Sequence, residues 1–473
     1  MNLKQKSLSL FLSLIIAEST LVYTQTLCVI KRNRNMKRKL TLLALFLLTF
    51  GINAQTFNKA KMDSLFKRIE SNEKGMGSIS IFKNEDEIYQ NSFGFADIEN
   101  KIRATKKTKY RIGSVSKTFT ATIIMQLIDE KKLSLYTKLA DFYPEIPNAK
   151  EITIEQLLRH RSGLYNFTNS EDYQNRMVKP HSKSEVLEIF IENGTVFKPD
   201  EKAEYSNTNY VLLSYIAEKI EHKEYSEILI KRIIDPCSLK NTYYGGQINT
   251  TENEALSYTK LAAWELATET DMSVPVGAGG IVSNSTDLNI FYNHLFNGKL
   301  ISDNSLNKMK KIVDDYGIGM FKLFDKKAYG HTGGIDEFQS TASYFPKDST
   351  LIAYISNGVV MPKREITVSA LKIYYNEEYT LPEFKPSLKL KIEDLDQYLG
   401  VYSSSTNPLK ITISKDSTVL IAQATGQPSF PLEAYELHKF KFAPAMLKFK
   451  FIPEENKMIL KQGGGEFELI KEE

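Results

Sequence analysis

The chain has 473 residues, and its 42% hydrophobic and 11% aromatic content excludes a disordered protein and predicts a well-packed globular one of two or three domains. The formal net charge is +4, but residues 1–55 contribute +7, so the rest of the chain carries −3. A weakly acidic folded region argues against a nucleic-acid partner.

The basic surplus belongs to a predicted leader, residues 1–55. Met36 is followed by three basic residues and then by a mostly apolar run, 40–50, that ends near small residues. This order predicts a secretory signal, and the run is too short for a comfortable membrane span. We expect export to a bacterial periplasm or cell envelope, or an inner-membrane anchor if the segment stays uncleaved. Further apolar sequence precedes the signal, so Met36 is the predicted true start.

Cysteine usage predicts no internal disulfide. The chain has two cysteines, and Cys28 would be lost with the leader, which leaves Cys237 unpaired.

The region after the leader begins with a predicted helix near Lys59–Ser71. Two predicted strands follow at 78–82 and 87–95, joined by a polar turn. A helical region extends from there to about Ser257, with apolar residues at helical spacing.

Two-residue periodicity returns after this helical region. It predicts strands at 338–345 and 351–356. Strands at both ends with helices between them predict an α/β (α+β) fold, in which one antiparallel sheet is closed by the early and late parts of the chain. The active site is expected where this sheet meets the helical lobe.

Ser114 and Lys117 stand at the beginning of a predicted helix. Apolar residues at helical spacing continue from Thr118 to Glu130, so Lys117 should lie one turn from Ser114 on the same face. A serine hydroxyl needs a base within hydrogen-bond reach, which this amine can provide. The free N–H groups at a helix N-terminus also suit an oxyanion. As an alternative, Ser114 could only cap the helix.

Two later motifs complete a candidate catalytic set. Tyr205 and Asn207 belong to a Tyr-Ser-Asn sequence, and His331 opens a His-Thr-Gly sequence. Structural alternatives exist for each, since Tyr205 and Asn207 could form a turn and His331 could have a purely structural role.

These three motifs, in this order, resemble the serine β-lactamase and penicillin-binding protein superfamily. The similarity is greatest to the branch of class C β-lactamases, D-Ala-D-Ala carboxypeptidases and related esterases. It spans roughly Ser78 to Asn357 and includes the segments 111–121, 152–164 and 279–283. The resemblance implies a β-lactamase-like sheet flanked by helices.

The resemblance implies that Ser114 is the nucleophile and Lys117 its proton acceptor or electrostatic helper. Tyr205 matches the tyrosine thought to act as general base in this branch. A phenol titrates near 10, so Tyr205 would need Lys117 beside it to favour the phenolate. The sequence leaves open which of the two takes the proton.

The remaining site residues are also implied by the resemblance. Asn207 would hydrogen-bond both the substrate amide and Lys117, and the backbone N–H groups of Ser114 and Gly334 would form the oxyanion hole. The strand along the substrate would contain His331, Thr332 and Gly333.

His331 departs from the class C pattern, which usually has lysine at this position. A neutral imidazole attracts a substrate carboxylate less than an ammonium does, which weakens a β-lactamase interpretation. An unperturbed imidazole titrates near 6.5, so if His331 faces such a carboxylate we expect it to become charged, and acylation to become faster, below about pH 6.5.

Residues 381–391 form a predicted proline-bearing linker between a catalytic domain, 56–380, and a β-rich domain, 392–473. Short alternating strands in the latter predict a small sandwich or barrel. The segment is similar to the lipocalin-like C-terminal domain of some peptidases in this superfamily. Its roles could be substrate access, oligomer formation, binding of an apolar group or simple stabilisation.

The sequence therefore predicts an exported serine hydrolase that forms an acyl-enzyme on Ser114 with a D-Ala-D-Ala-like peptide or an ester. The alternatives are a class C-like β-lactamase and a catalytically silent protein that binds β-lactams or peptides or acts as a sensor. The other five histidines are scattered, and no zinc or dinucleotide motif is present, so no metal and no cofactor are expected. The expected partners are a small peptide, ester or β-lactam, with membrane contact only through an uncleaved signal.

Overall fold

The computed structural model describes residues 57–472, except 262, 385–387, 405–409, 426 and 428. The predicted leader, its signal segment and Cys28 lie outside these residues. The chain from Asn58 onward forms one compact unit. No helix in the described part is long and apolar enough to cross a membrane.

The described residues form helices and strands of very different lengths. The α-helices are α1 (Lys59–Ser71), α2 (Ser116–Asp129), α3 (Ile154–Leu158), α4 (Tyr173–Arg176), α5 (Lys183–Asn193), α6 (Asn207–Glu221), α7 (Tyr225–Leu229), α8 (Asp235–Cys237), α9 (Val276–Gly279), α10 (Ser285–Phe296), α11 (Asp303–Lys310) and α12 (Lys363–Tyr374). A π-helical segment, Ile230–Ile234, continues α7. Short 3-10 segments are Gly113–Val115, Leu139–Asp141, Phe167–Asn169, Thr250–Glu252, Glu393–Tyr398, Ala443–Ala445 and Pro453–Glu455.

The strands fall into a catalytic group and a C-terminal group. The first group is β1 (Gly75–Lys83), β2 (Asp86–Phe93), β3 (Phe95–Asp97), β4 (Ile102–Arg103), β5 (Tyr110–Arg111), β6 (Tyr243–Tyr244), β7 (Tyr258–Lys260), β8 (Trp264–Leu266), β9 (Ile281–Ser283), β10 (Phe321–Leu323), β11 (Ala328–Ile335), β12 (Phe338–Phe345) and β13 (Thr350–Val359). The second is β14 (Gly400–Ser403), β15 (Lys410–Asp416), β16 (Val419–Ala424), β17 (Phe430–Glu436), β18 (Lys439–Phe442), β19 (Leu447–Ile452), β20 (Lys457–Gln462) and β21 (Gly465–Lys471).

Six strands form the main sheet, in the order β10-β11-β12-β13-β1-β2, with every neighbouring pair antiparallel. The early strand β1 pairs with the late strand β13, and Ile79 lies opposite Tyr354. Nearly every residue of β1 and β13 is buried, because helices cover both faces of the sheet. The predicted sheet, closed by the two ends of the catalytic region, is confirmed.

Helix α2 is the centre of the catalytic part. It is buried on nearly all sides, polar residues such as Lys117 and Thr118 included, because it is surrounded by protein. Phe119 stacks on Phe291 of α10 with 3.7 Å between ring centroids, which ties α2 to a helix that packs on the sheet. The α-helix begins at Ser116, so Ser114 lies in the preceding 3-10 turn rather than in the predicted first α-helical turn.

The C-terminal strands β14–β21 close into an eight-stranded antiparallel barrel. Alternate side chains point inward, so Ile411 and Ile413 of β15 and Phe449 and Phe451 of β19 are buried while their neighbours are exposed. The predicted small β domain is thus confirmed as a barrel. The boundaries proposed from sequence for the linker and the two domains stay a prediction.

Candidate active site

A glycine turn places Ser114 at the end of β5. Gly113 has φ +50°, a left-handed conformation that favours glycine. A Cβ atom on Gly113 would lie 2.7 Å from the Gly334 carbonyl oxygen and 2.9 Å from the Gly334 nitrogen. Only glycine therefore lets the turn and β11 approach so closely, and this approach brings the Gly334 peptide beside Ser114.

Two side chains meet the Ser114 hydroxyl. The Lys117 Nζ atom lies 3.0 Å from Ser114 Oγ, and the Tyr205 hydroxyl donates to the same oxygen at 2.8 Å. Lys117 also donates to Asn207 Oδ1 and to the Ala278 carbonyl oxygen, each at 2.7 Å. The structure thus brings together four residues that the sequence predicted and adds a backbone carbonyl that it did not.

Burial changes the pKa values of the two groups beside Ser114 in opposite directions. Lys117 is fully buried, and this desolvation holds its pKa well below the usual 10.5. Desolvation raises the pKa of Tyr205 above its usual 10, against a smaller lowering by the Ser114 hydrogen bond. Lys117 does lie beside Tyr205, but burial opposes the phenolate that Tyr205 would need as a base.

Asn207 is held in one orientation by the loop after α3. Its Nδ2 group donates to Asn166 Oδ1 at 3.2 Å and to Thr168 Oγ1 at 3.1 Å. Asn166 also accepts from the Asn207 backbone N–H at 2.9 Å. The Oδ1 atom of Asn207 consequently faces Lys117.

Strand β11 lies against the nucleophile turn. A Cβ atom on Gly333 would lie 2.1 Å from the Ile112 carbonyl oxygen, and Ser340 of β12 donates to that oxygen at 2.7 Å. Strand β10 pairs only with the first part of β11, up to Gly330. The edge from His331 onward, with Thr332 half-buried and Gly334 exposed, is consequently not covered by β10.

His331 differs from the sequence-based expectation in its protonation. Its side chain is 2% exposed, its Nδ1 atom lies 2.5 Å from the Thr332 carbonyl oxygen, and its ring packs on Phe321 with centroids 4.4 Å apart. Desolvation, with a smaller effect of Lys117, lowers its pKa to about 3. The expected charging below about pH 6.5 is wrong, because the imidazole is buried beside a lysine.

Sequence reasoning missed His160, which lies within the segment 152–164 but had been set aside as one of several scattered histidines. Its ring packs on Tyr205 with 4.5 Å between centroids, and its Nδ1 atom accepts from the Ser206 N–H at 3.2 Å. Burial holds its pKa well below the usual 6.5, so the ring is neutral and can accept. His160 thus fixes the turn that carries Tyr205. The signal available was its place in a segment shared with the superfamily.

A buried ion pair anchors the other end of β11. Arg111 donates to Asp336 at 2.9 Å and to Glu269 at 2.5 Å, and its guanidinium also reaches the Thr270 carbonyl. Asp336 follows β11 directly, so the pair ties that strand to the residue three positions before Ser114. Among the described residues, no cluster of His, Cys, Asp and Glu could hold a metal ion.

The sequence profile of the family described as Beta-lactamase matches residues 66–373, more than half of the chain. The chain therefore belongs to the beta-lactamase family, and it is a serine hydrolase.

Two similar proteins come from Staphylococcus aureus. Protein flp of strain MW2 is 23% identical over 334 residues, which cover 64% of this chain and 67% of that protein. A teichoic acid D-alanine hydrolase of strain NCTC 8325 / PS 47 is 25% identical over 252 residues, 52% of this chain and 62% of that protein. The matches span about two thirds of these relatives or less.

Two solved structures share the fold. The D-amino acid amidase from Ochrobactrum anthropi SV3 in complex with D-phenylalanine has a TM-score of 0.60 and 24% identity, covering 67% of this chain and 99% of that one. An octameric penicillin-binding protein homologue from Pyrococcus abyssi has a TM-score of 0.60 and 25% identity, covering 87% and 99%. The larger coverage of the second extends beyond the catalytic part.

Proposed function

We propose that this serine hydrolase forms an acyl-enzyme on Ser114 and cleaves D-alanyl esters, amides or D-Ala-D-Ala-like peptides. The observation that carries the proposal is that the Lys117 amine and the Tyr205 hydroxyl both lie within 3.0 Å of Ser114 Oγ. The substrate class is supported by the relatives, since a teichoic acid D-alanine hydrolase and a D-amino acid amidase are both named for D-amino acids.

Lys117 is the proton acceptor in this proposal. Its lowered pKa favours the neutral amine, which has two N–H groups and one lone pair. The Ala278 carbonyl can only accept, and Asn207 presents its oxygen, so these take the two N–H groups. The lone pair is then left for the Ser114 hydroxyl proton, which moves to Nζ as Oγ bonds to the substrate carbonyl carbon.

Tyr205 is the general acid. Its raised pKa keeps the phenol protonated, and its O–H already points at Ser114 Oγ. When the bond to the leaving group breaks, Tyr205 donates its proton to that group and recovers one from the Lys117 ammonium. Water then attacks the acyl-enzyme by the reverse of these steps. The backbone N–H groups of Ser114 and Gly334 hold the oxyanion.

The alternative of a β-lactamase is less favoured by the site. Class C enzymes usually have a lysine where this chain has His331, and a neutral, buried imidazole offers a β-lactam carboxylate no charge. We expect a chromogenic cephalosporin to give a burst of one product per enzyme, with slow release. Sustained turnover would instead favour the β-lactamase.

Stereospecific ester hydrolysis tests the proposed function. The purified protein should hydrolyse the D-alanyl ester of glycerol and leave the L-alanyl ester intact, as followed by release of free alanine. Equal rates with the two enantiomers would contradict the substrate class. Binding of a β-lactam without hydrolysis of any D-alanyl ester, amide or peptide would favour the silent binding or sensor protein.

We also propose export to the periplasm or cell envelope, on the basis of the predicted signal within residues 36–54. N-terminal sequencing of the protein from a fractionated bacterial host should find a start near residue 55 in the envelope fraction. A cytoplasmic protein with an intact leader would contradict export. Oligomer formation through the barrel stays a prediction, supported by the octameric Pyrococcus abyssi homologue and testable by light scattering.

A further inference from the structure

A cavity of about 870 Å³ lies between the barrel and the catalytic part. Its catalytic wall comes from the turn after α1, the β11–β12 turn and the start of α12, and its other wall comes mainly from β16, β17 and β18. An ion pair between Lys74 and Glu433 at 3.1 Å joins the two walls, and the Leu388 N–H of the connecting segment donates to the Ala434 carbonyl of the barrel at 2.9 Å. The cavity therefore exists only where the barrel and the catalytic part pack together.

Gly334 separates this cavity from the nucleophile turn. On one side its peptide faces Gly113, next to Ser114. On the other side a Cβ atom at Gly334 would lie 3.6 Å from the amide of Gln339, which lines the cavity. Gly334 is exposed and has no side chain, so no side chain at this position stands between Ser114 and the Gln339 end of the cavity.

Lys363 supplies a cation at this end of the cavity. Its Nζ atom donates to the Gly333 carbonyl at 2.9 Å and to Gln339 Oε1 at 3.1 Å, both neutral acceptors. Lys74 in the same cavity is paired with Glu433, whereas no carboxylate of the described residues forms an ion pair with Lys363. Burial lowers the pKa of Lys363 to about 8, in keeping with an ammonium that has no anionic partner, and leaves it mostly charged at pH 7.

The barrel wall offers an aromatic surface to the same space. Phe430 and Phe442 line the cavity, are partly exposed, and stack with 4.5 Å between ring centroids. An aromatic wall facing an uncompensated ammonium is complementary to a ligand that carries an anionic group on a carbon backbone.

We propose that this cavity is a substrate subsite that receives the leaving group and selects alcohols or amines bearing an anionic group, a phosphate or a carboxylate. The inference rests on the proposed function, because in a D-alanyl ester or amide the acyl group is small and the leaving group is the part that can extend beyond the nucleophile. The barrel thereby forms part of the site that determines substrate preference.

Three D-alanyl esters with different alcohols test the proposal: glycerol, glycerol 3-phosphate and glyceric acid. Lys363→Met should raise the KM of each anionic ester about fivefold to tenfold relative to that of the glycerol ester, with kcat affected equally for all three. Lys363→Arg should restore the preference, and Phe442→Ala on the barrel wall should weaken it. Lys441→Met is the matched control, since this lysine of the same cavity already faces Glu433 at 3.6 Å and should leave the preference intact.

The comparison of the two anionic esters with wild-type enzyme identifies the preferred group as phosphate or carboxylate. Equal KM changes for all three esters in Lys363→Met, or none, would overturn the subsite. If the wild-type protein hydrolyses no D-alanyl ester, the proposed function fails separately. The subsite is then tested by calorimetric titration with glycerol 3-phosphate and with glycerate, where equal affinities of wild type and Lys363→Met would overturn it.

Discussion

At the scale of single residues, the site depends on burial acting differently on two adjacent groups. Burial lowers the pKa of Lys117 and raises that of Tyr205, so it favours a neutral amine beside a protonated phenol, as the proposed mechanism requires. Lys117 donates to the oxygen atoms of Asn207 and Ala278, and in the proposed mechanism this leaves its lone pair for Ser114. These contacts support the proposed roles, Lys117 as base and Tyr205 as acid, between which the sequence left the choice open.

A double-mutant cycle tests whether Lys117 and Tyr205 act as one unit. Lys117→Ala and Tyr205→Phe should each lower kcat/KM by several orders of magnitude, and the double variant should lose little more than the worse single variant, because groups acting on one proton path are non-additive. The measurement is kcat/KM for the D-alanyl glycerol ester in all four proteins. Fully multiplicative losses would show that the two groups act independently.

The protonation of His331 predicts the shape of the acid side of the pH profile. With its pKa lowered to about 3, His331 stays neutral from about pH 5 upward, so it adds no inflection near 6.5. Its folded-state pKa is below the unfolded value, so the stability linked to it is present above about pH 6.5 and is lost as the pH falls toward 3. We expect wild type and His331→Gln to have the same profile of kcat/KM between about pH 5.5 and 7.5. A wild-type inflection near 6.5 that disappears in His331→Gln would contradict the buried, neutral imidazole.

At the scale of elements, close packing of backbone on backbone places the catalytic groups. The 3-10 turn of Ser114, the short helix α9 that presents the Ala278 carbonyl, and strand β11 meet where glycines allow the approach. The buried Arg111–Asp336 pair, 2.9 Å apart, holds β11 to the strand before Ser114. The positions of the catalytic groups are therefore set by contacts between these helices, strands and turns.

Gly113→Ala should disrupt this approach. The left-handed backbone costs an alanine about 1–2 kcal/mol, and the clash with Gly334 adds to that cost and displaces the oxyanion site, so kcat should fall strongly. Gly246→Ala is the control, because a Cβ atom there meets nothing within 4 Å. Chemical denaturation and kcat measurements on both variants check the prediction, and equal behaviour of the two would refute it.

The barrel has its own core, which a pair of phenylalanine variants can test. Phe451 is buried against Tyr398 and Tyr402, so Phe451→Ala should lower the free energy of unfolding of the barrel by about 3–5 kcal/mol. Phe467 is 38% exposed on another barrel strand, and Phe467→Ala should change it by less than about 0.5 kcal/mol. Urea denaturation followed by tyrosine fluorescence measures both. Similar losses in the two variants would show that the inward and outward faces are assigned wrongly.

At the scale of the whole molecule, local patterns predict much of the fold. Helix α1 begins and ends at the residues predicted from sequence, and the period-two segments of the C-terminal region form the barrel strands. The antiparallel sheet was predictable because strands occur at both ends of the catalytic region. The motifs around Ser114, Tyr205 and His331 also meet in one place.

The parts that could not be predicted depend on packing between distant segments. The Ala278 carbonyl carries no side-chain signal, and the burial that keeps His331 neutral comes from residues such as Phe321. The link from Lys363 to Gly333 and Gln339 exists only once α12 has packed beside β11. The spacing of apolar residues identifies a helix or strand, whereas these contacts depend on how distant helices and strands pack against each other.

Covalent labelling of Ser114 tests the central claim most directly. A fluorophosphonate should add one label per molecule to the wild-type protein and to a control such as Ser71→Ala on the exposed side of α1, as read by intact-protein mass spectrometry. Ser114→Ala should take up no label and should lose turnover on the order of 10⁶-fold, while its thermal stability changes little. Undiminished labelling or turnover in purified, folded Ser114→Ala would contradict the acyl-enzyme mechanism.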